Sequence, residues 1–165
     1  ITSENEMSLS PHFQRFIAAP LLGLVLATAL PALAQDGAAP AATALTSSGI
    51  AEVELSGIIR DGDKLTLRLR MKPVEAAKRT NETVYSSISD QAWEEEFYLL
   101  SGDKKYLLLK DSAGKPLASA SLMLSVNDAP LAGSWNGTFP APPAGATATL
   151  YLPKIEPIGP FTVPE

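Results

Sequence analysis

A chain of 165 residues with 45% hydrophobic side chains and a net charge of −5 has the length for one domain with a real core, and not for two. The acidic balance argues against nucleic acid, whose phosphates reward clustered lysine and arginine, and against adhesion to anionic lipid. With no cysteine and a single histidine, His12, the chain lacks disulfides and thiolate nucleophiles and has almost none of the imidazole that most often does acid–base work near neutral pH.

The N-terminal third reads as a leader. Met7 is the expected start of translation, with Ile1–Glu6 upstream of it, followed by the positive charge of Arg15 and an apolar run over Phe16–Leu30. Then come Pro31 and the small-residue triplet Ala32-Leu33-Ala34. A charged start, an apolar middle and an A-x-A exit, in that order, make a secretory signal. The run contains Pro20 and falls short of the about 20 apolar residues of a spanning helix. Cleavage is expected after Ala34. No cysteine stands at the cut to be acylated, so the product is expected to be soluble, periplasmic or secreted, with no stable insertion in the membrane. The cut would also remove His12. Residues 35–48 (QDGAAPAATALTSS) carry no apolar periodicity and read as a flexible Ala/Pro linker, leaving 49–165 as the folded domain.

From Ile50 the period becomes two. Val53 and Leu55, then Leu65, Leu67, Leu69 and Met71, alternate with Glu54, Thr66, Arg68 and Arg70, which predicts a strand pair with one buried and one wet face. The intervening Arg60-Asp61-Gly62-Asp63 suits a tight hairpin. Phe97–Leu100 and Tyr106–Leu109 form a second pair around Ser101-Gly102-Asp103-Lys104, and Asp111–Pro116 makes the next reversal. Leu117–Val126, Ser134–Phe139 and Thr147–Leu152 read as strands, and Ile158–Val163 as a closing edge strand, because Pro157, Pro160 and Pro164 each remove a ladder donor. Within Val74–Ala92, one helical turn over Glu75–Arg79 and a strand over Thr83–Ile88 are the candidate elements. Trp93 and Trp135 are expected as large core anchors. Short strands separated by turn signals predict an all-β antiparallel sandwich or barrel.

The tail from Trp135 through Thr138-Phe139-Pro140-Ala141-Pro142-Pro143-Ala144-Gly145-Ala146-Thr147 and Leu150-Tyr151-Leu152-Pro153 to Pro157, Phe161, Val163 and Pro164 resembles small exported bacterial immunoglobulin-like accessory domains. So does the central stretch from Tyr98 to Ala118, with Lys104-Lys105-Tyr106-Leu107 and Gly114-Lys115-Pro116-Leu117-Ala118. The similarity covers residues 94–165. It implies an immunoglobulin-like β-sandwich of about seven to eight strands without disulfide, in a family that accompanies envelope proteins of the outer-membrane, peptidoglycan-binding type. It transfers no catalytic motif.

Several motifs have simpler readings. Ser112-Ala113-Gly114-Lys115 and Ser101-Gly102-Asp103-Lys104 fit S-x-x-K, but both fall in turns, whereas serine–lysine chemistry needs the serine at a helix start. Asp61-Gly62-Asp63 opens like a calcium loop, yet Leu65, Leu67 and Leu69 stand where oxygen ligands belong. Glu94-Glu95-Glu96 lies between Trp93 and Phe97. On a strand, Glu94 and Glu96 would share a face, which suits a solvated edge that discourages aggregation better than the carboxylate pair of a glycosidase. The sequons at Asn81 and Asn136 carry no weight in a bacterial export, and Phe139–Gly145 stiffens a loop. Neither metal nor cofactor is expected.

The sequence thus leads to a non-catalytic exported binding module of a Gram-negative cell envelope, contacting an envelope protein or peptidoglycan, with Trp93, Glu94 and Glu96 as the candidate interaction surface. A small-molecule carrier with a β-barrel cavity and a carboxylate-dependent hydrolase are the rival readings.

Overall fold

The computed structural model describes residues 39–165. The expected leader, with its cut after Ala34, and residues 35–38 of the expected linker lie outside the described residues. The elements are β1 (Thr43–Leu45), β2 (Ala51–Asp61), β3 (Lys64–Pro73), β4 (Thr80–Tyr85), α1 (Asp90–Glu95), β5 (Tyr98–Ser101), β6 (Lys104–Leu107), β7 (Leu122–Val126), β8 (Gly133–Pro140), β9 (Thr147–Tyr151) and β10 (Ile158–Thr162). They form two four-stranded sheets, ordered β1-β2-β3-β8 and β10-β9-β5-β6, and a two-stranded sheet β4-β7. Every strand pairing is antiparallel. The all-β expectation holds. The count of seven to eight strands does not, because the described residues form ten strands spread over three sheets.

The first hairpin follows from the alternation. Val53 and Leu55 of β2 and Leu65, Leu67, Leu69 and Met71 of β3 are buried, while Glu52, Arg68, Arg70 and Lys72 are exposed. Asp61 pairs with Lys64, so Gly62 and Asp63 form a two-residue loop, and the positive φ of 58° falls on Gly62. Glycine in the first position of such a loop is what a hairpin turn of the primed type demands. A β-bulge between Leu55 and Gly57 then shifts the register. Beyond it the parity of β2 is inverted, so Ile58 packs on the core and Ile59 faces solvent. Arg60 lies on the inward side, where its guanidinium donates to the Pro142 carbonyl at 2.9 Å and the Pro164 carbonyl at 3.3 Å.

One core takes side chains from all three sheets: Leu67 and Leu69, Leu99 and Leu150, Val84 and Leu124, with Phe97 and Phe139 among the largest fully buried groups. Each large apolar side chain removed from water in this way contributes about 1.5–3 kcal/mol. Trp135 belongs to this core, as expected. Its indole Nε1 donates to the Tyr85 hydroxyl at 2.9 Å, and that hydroxyl donates in turn to the Ser119 carbonyl. The chain of bonds ties β8 to β4 and to the segment before β7.

This hydroxyl also carries a pH dependence. Burial pushes the Tyr85 phenol from 10.0 up to about 12, against the Trp135 hydrogen bond, which lowers it. The folded state therefore holds the phenolic proton more tightly than the unfolded chain does. Its contribution is fully present below pH 10 and is lost as pH rises toward about 12. Tyr85→Phe is expected to cost about 1–3 kcal/mol at neutral pH, since it leaves the Trp135 N–H and the Ser119 carbonyl without their partner. It should also flatten the alkaline fall, as urea unfolding at pH 8 to 11.5 would show.

Three expectations are corrected. The linker is not free of structure to residue 48: β1 pairs with β2 in the register Ala44 to Val53, Ala44 is buried, and the buried Thr46 hydroxyl accepts from the Ala51 N–H at 3.2 Å. In the Val74–Ala92 region no helical turn forms over Glu75–Arg79, and the strand is Thr80–Tyr85. The expected strand Leu117–Val126 is ordered as β7 only from Leu122. Before that, the chain runs beside β8, with Ser119 N–H donating to the Asn136 carbonyl and Thr138 N–H to the Leu117 carbonyl.

Candidate binding surface

The residues singled out for interaction sit on a helix rather than a strand. Ser89 caps α1, its hydroxyl accepting from the Ala92 N–H at 3.2 Å, and Trp93 and Glu94 lie within the helix with Glu96 as its C-cap. Residues two apart on a helix point about 200° from one another, so Glu94 and Glu96 do not share a face as they would on a strand. Both are exposed. Trp93 is a rim residue packed on the core rather than an anchor within it. Its Nε1 donates to the Leu108 carbonyl at 2.9 Å, and Lys110 Nζ lies 3.8 Å from its ring centroid. The same ammonium is 3.0 Å from Asp90 Oδ1. Its N–H and one ring face are thus already engaged.

The S-x-x-K segments are turns. Asp111 Oδ1 accepts from the Ala113 and Lys115 N–H groups, and Ser101–Lys104 closes the β5–β6 hairpin with Gly102 at φ 56°. The two four-stranded sheets are joined at both edges by backbone hydrogen bonds: Ser47 N–H donates to the Lys154 carbonyl and Glu156 N–H to the Leu45 carbonyl beside β1, and Leu109 N–H donates to the Thr138 carbonyl of β8.

A different surface emerges from the wet side of β3. Its outward positions are Lys64, Thr66, Arg68, Arg70 and Lys72, in strict alternation with buried leucines and Met71. Because β3 is hydrogen-bonded to β2 on one side and β8 on the other, this row lies mid-sheet. The register places Arg70 between Glu54 and Ser134, Arg68 between Gly57 and Asn136, and Thr66 between Ile59 and Thr138. Thr66 and Thr138 share a hydroxyl–hydroxyl hydrogen bond of 3.0 Å.

The bulge and the glycine shape the surface. Gly57 has no side chain where a Cβ would come 3.4 Å from Arg68 Cβ and 3.5 Å from its Cδ, so the arginine stem lies across the glycine. Beside them is a shallow open depression of about 300 Å3, where Ser56, Arg68, Arg70, Ser134 and Asn136 surround Gly57 and the exposed Ile59, with Leu69 and Trp135 also in its lining. Bulges are over-represented where a strand re-aims side chains beside a site.

Charge is distributed unevenly on this face. Glu54 is the carboxylate opposite Arg70, but Lys72 takes it at 2.6 Å. Among the described residues, neither Arg68 nor Arg70 has an ion-pair partner. Asn136 Oδ1 accepts from the Ser119 hydroxyl at 2.9 Å, leaving its amide nitrogen as a donor. Guanidinium groups, a serine hydroxyl and an amide nitrogen together form a donor-rich surface suited to oxyanions.

The sequence contained this signal in K-L-T-L-R-L-R-M-K, where four of the five outward side chains are cationic. The alternation identified the buried face and left the other as merely wet. A second missed pair is Tyr98 and Tyr151, cross-strand neighbours stacked with centroids 4.7 Å apart, with Lys105 Nζ 4.1 Å from the Tyr98 ring.

No protein-family model, curated protein or solved structure matches the chain.

Proposed function

We propose that this chain is a non-catalytic exported module of the bacterial cell envelope, binding an envelope protein or the cell wall through the outer face of β2, β3 and β8. The observation that carries the reading is the pair Arg68 and Arg70, without ion-pair partners among the described residues beside the depression at Gly57. Ladders on both sides fix the backbone of the row mid-sheet, so binding has only the side chains left to order. Export is supported by the order of charged, apolar and small residues up to Ala34. An immunoglobulin-like sandwich is part of the same proposal, supported by two four-stranded antiparallel sheets sharing one core, with β4 and β7 as an addition to that plan.

The test is co-sedimentation of the purified chain with isolated peptidoglycan sacculi, and capture of envelope proteins identified by mass spectrometry. Arg68→Gln with Arg70→Gln is expected to abolish whichever association the native chain makes, while Glu94→Lys leaves it intact. Loss with Glu94→Lys alone would move the surface to the end of α1. Association indifferent to both changes would remove the proposal.

A further inference from the structure

We infer that the Arg68–Arg70 face takes the carboxylate groups of an extended, otherwise uncharged peptide chain, one carboxylate to each guanidinium. This rests on the reading of that face as a binding surface and adds the chemistry of the ligand.

Spacing is the first argument. Arg68 and Arg70 are alternate residues of one strand, so their Cα atoms are separated by two strand rises, about 6.7 Å. An extended peptide ligand has the same repeat. Carboxylates two residues apart on it come into register with both arginines, each able to receive two parallel N–H···O bonds. Ser134 stands beside Arg70 and Asn136 beside Arg68 in the register, placing a hydroxyl next to one arginine and an amide next to the other for the peptide's own polar groups.

Charge selects against continuous polyanions. The chain carries a net charge of −5, and β2 borders the cationic row with Glu52, Glu54 and Asp61, opposite Lys72, Arg70 and Lys64. A ligand charged at every unit, such as a polyphosphate or an anionic lipid surface, would meet these carboxylates as well as the arginines. Two carboxylates at alternate positions meet Arg68 and Arg70, and the one carboxylate beside them, Glu54, is held by Lys72. The pairs are exposed, so the interaction is weak and salt-sensitive.

The test is a nuclear magnetic resonance titration of the isotope-labelled chain with acetyl-Glu-Ala-Glu-amide, using acetyl-Gln-Ala-Gln-amide and inorganic phosphate as comparisons. The acidic peptide is expected to shift the amides of Arg68, Arg70, Ser134 and Asn136 and to lose affinity as salt rises. The neutral peptide should shift none of them. Arg68→Gln and Arg70→Gln should each weaken binding by about fivefold, as removal of one exposed charge pair implies, with thermal melts showing that each variant is folded. Equal binding of the neutral peptide, shifts confined to other residues, or no shifts at all would overturn the inference. Tighter binding of phosphate would do so too and would assign the site to that anion. If the acidic peptide fails while the double variant still abolishes sacculus or envelope association, the ligand chemistry falls and the surface stands. If both fail, the surface falls as well.

Discussion

Replacing Trp135 with alanine is expected to lower the stability of the fold by about 3–5 kcal/mol, the range for removing a large buried aromatic. The indole is 2% exposed, lies 6.5 Å from the Phe139 ring between centroids, and is fixed by its hydrogen bond to Tyr85. Alanine leaves a cavity in a core whose neighbours are held by ladders on both sides of β3 and so relax little. Tyr85 keeps the Ser119 carbonyl as its acceptor, so most of the loss is packing rather than a stranded polar group. Against a total stability of about 5–15 kcal/mol, this is a large fraction. Urea unfolding of both proteins measures it directly. Trp135→Phe should fall between them, since it keeps an aromatic ring but leaves the Tyr85 oxygen without its donor. A loss below about 1 kcal/mol for alanine would mean that the ring is not a structural pillar.

Local signals read well where one pattern governed one element. The β2–β3 hairpin was legible because its alternation, its Gly62 and its length all agree. Leu117–Val126 was not, although Leu122, Leu124 and Val126 alternate cleanly. The run serves two sheets in succession: Leu117 and Ser119 bond to β8, while Leu122–Val126 pairs with β4. Period two reports which side faces the core and says nothing about which neighbour supplies the ladder. The end of α1 failed for a different reason. Glu94, Glu95 and Glu96 fit either periodicity, and the deciding information lay upstream in Ser89, whose hydroxyl caps the helix. The Arg68–Arg70 surface depended on partners across the sheet. That Glu54 goes to Lys72 and that Arg68 lies beside Gly57 follows from the register and its bulge, neither of which is written in β3 itself.

Gly137→Val is the change expected to rival the loss of Trp135. By strand propensity alone the substitution is favourable by up to about 1 kcal/mol, valine being a strong strand former and glycine a poor one. Space decides the opposite sign. A Cβ at Gly137 would meet the Trp135 ring, with Cζ2 at 2.7 Å, and Leu108 Cδ2 at 3.0 Å, and Leu108 is itself buried. The indole cannot swing aside without giving up its bond to Tyr85. Overpacking of this kind costs about 1–3 kcal/mol for an added methyl, so Gly137→Ala should lie in that range and valine, with two further methyl groups, at or beyond its upper end. Because the clash is with one named ring, the two sites should couple strongly. In a Trp135→Ala background the same Gly137→Ala change is expected to cost little or even stabilise, the new methyl entering the space the indole has left. Urea unfolding of the four proteins in that double-mutant cycle reads the coupling. Additive losses would show that Gly137 is constrained by its backbone or by Leu108, and not by the indole that lies across it.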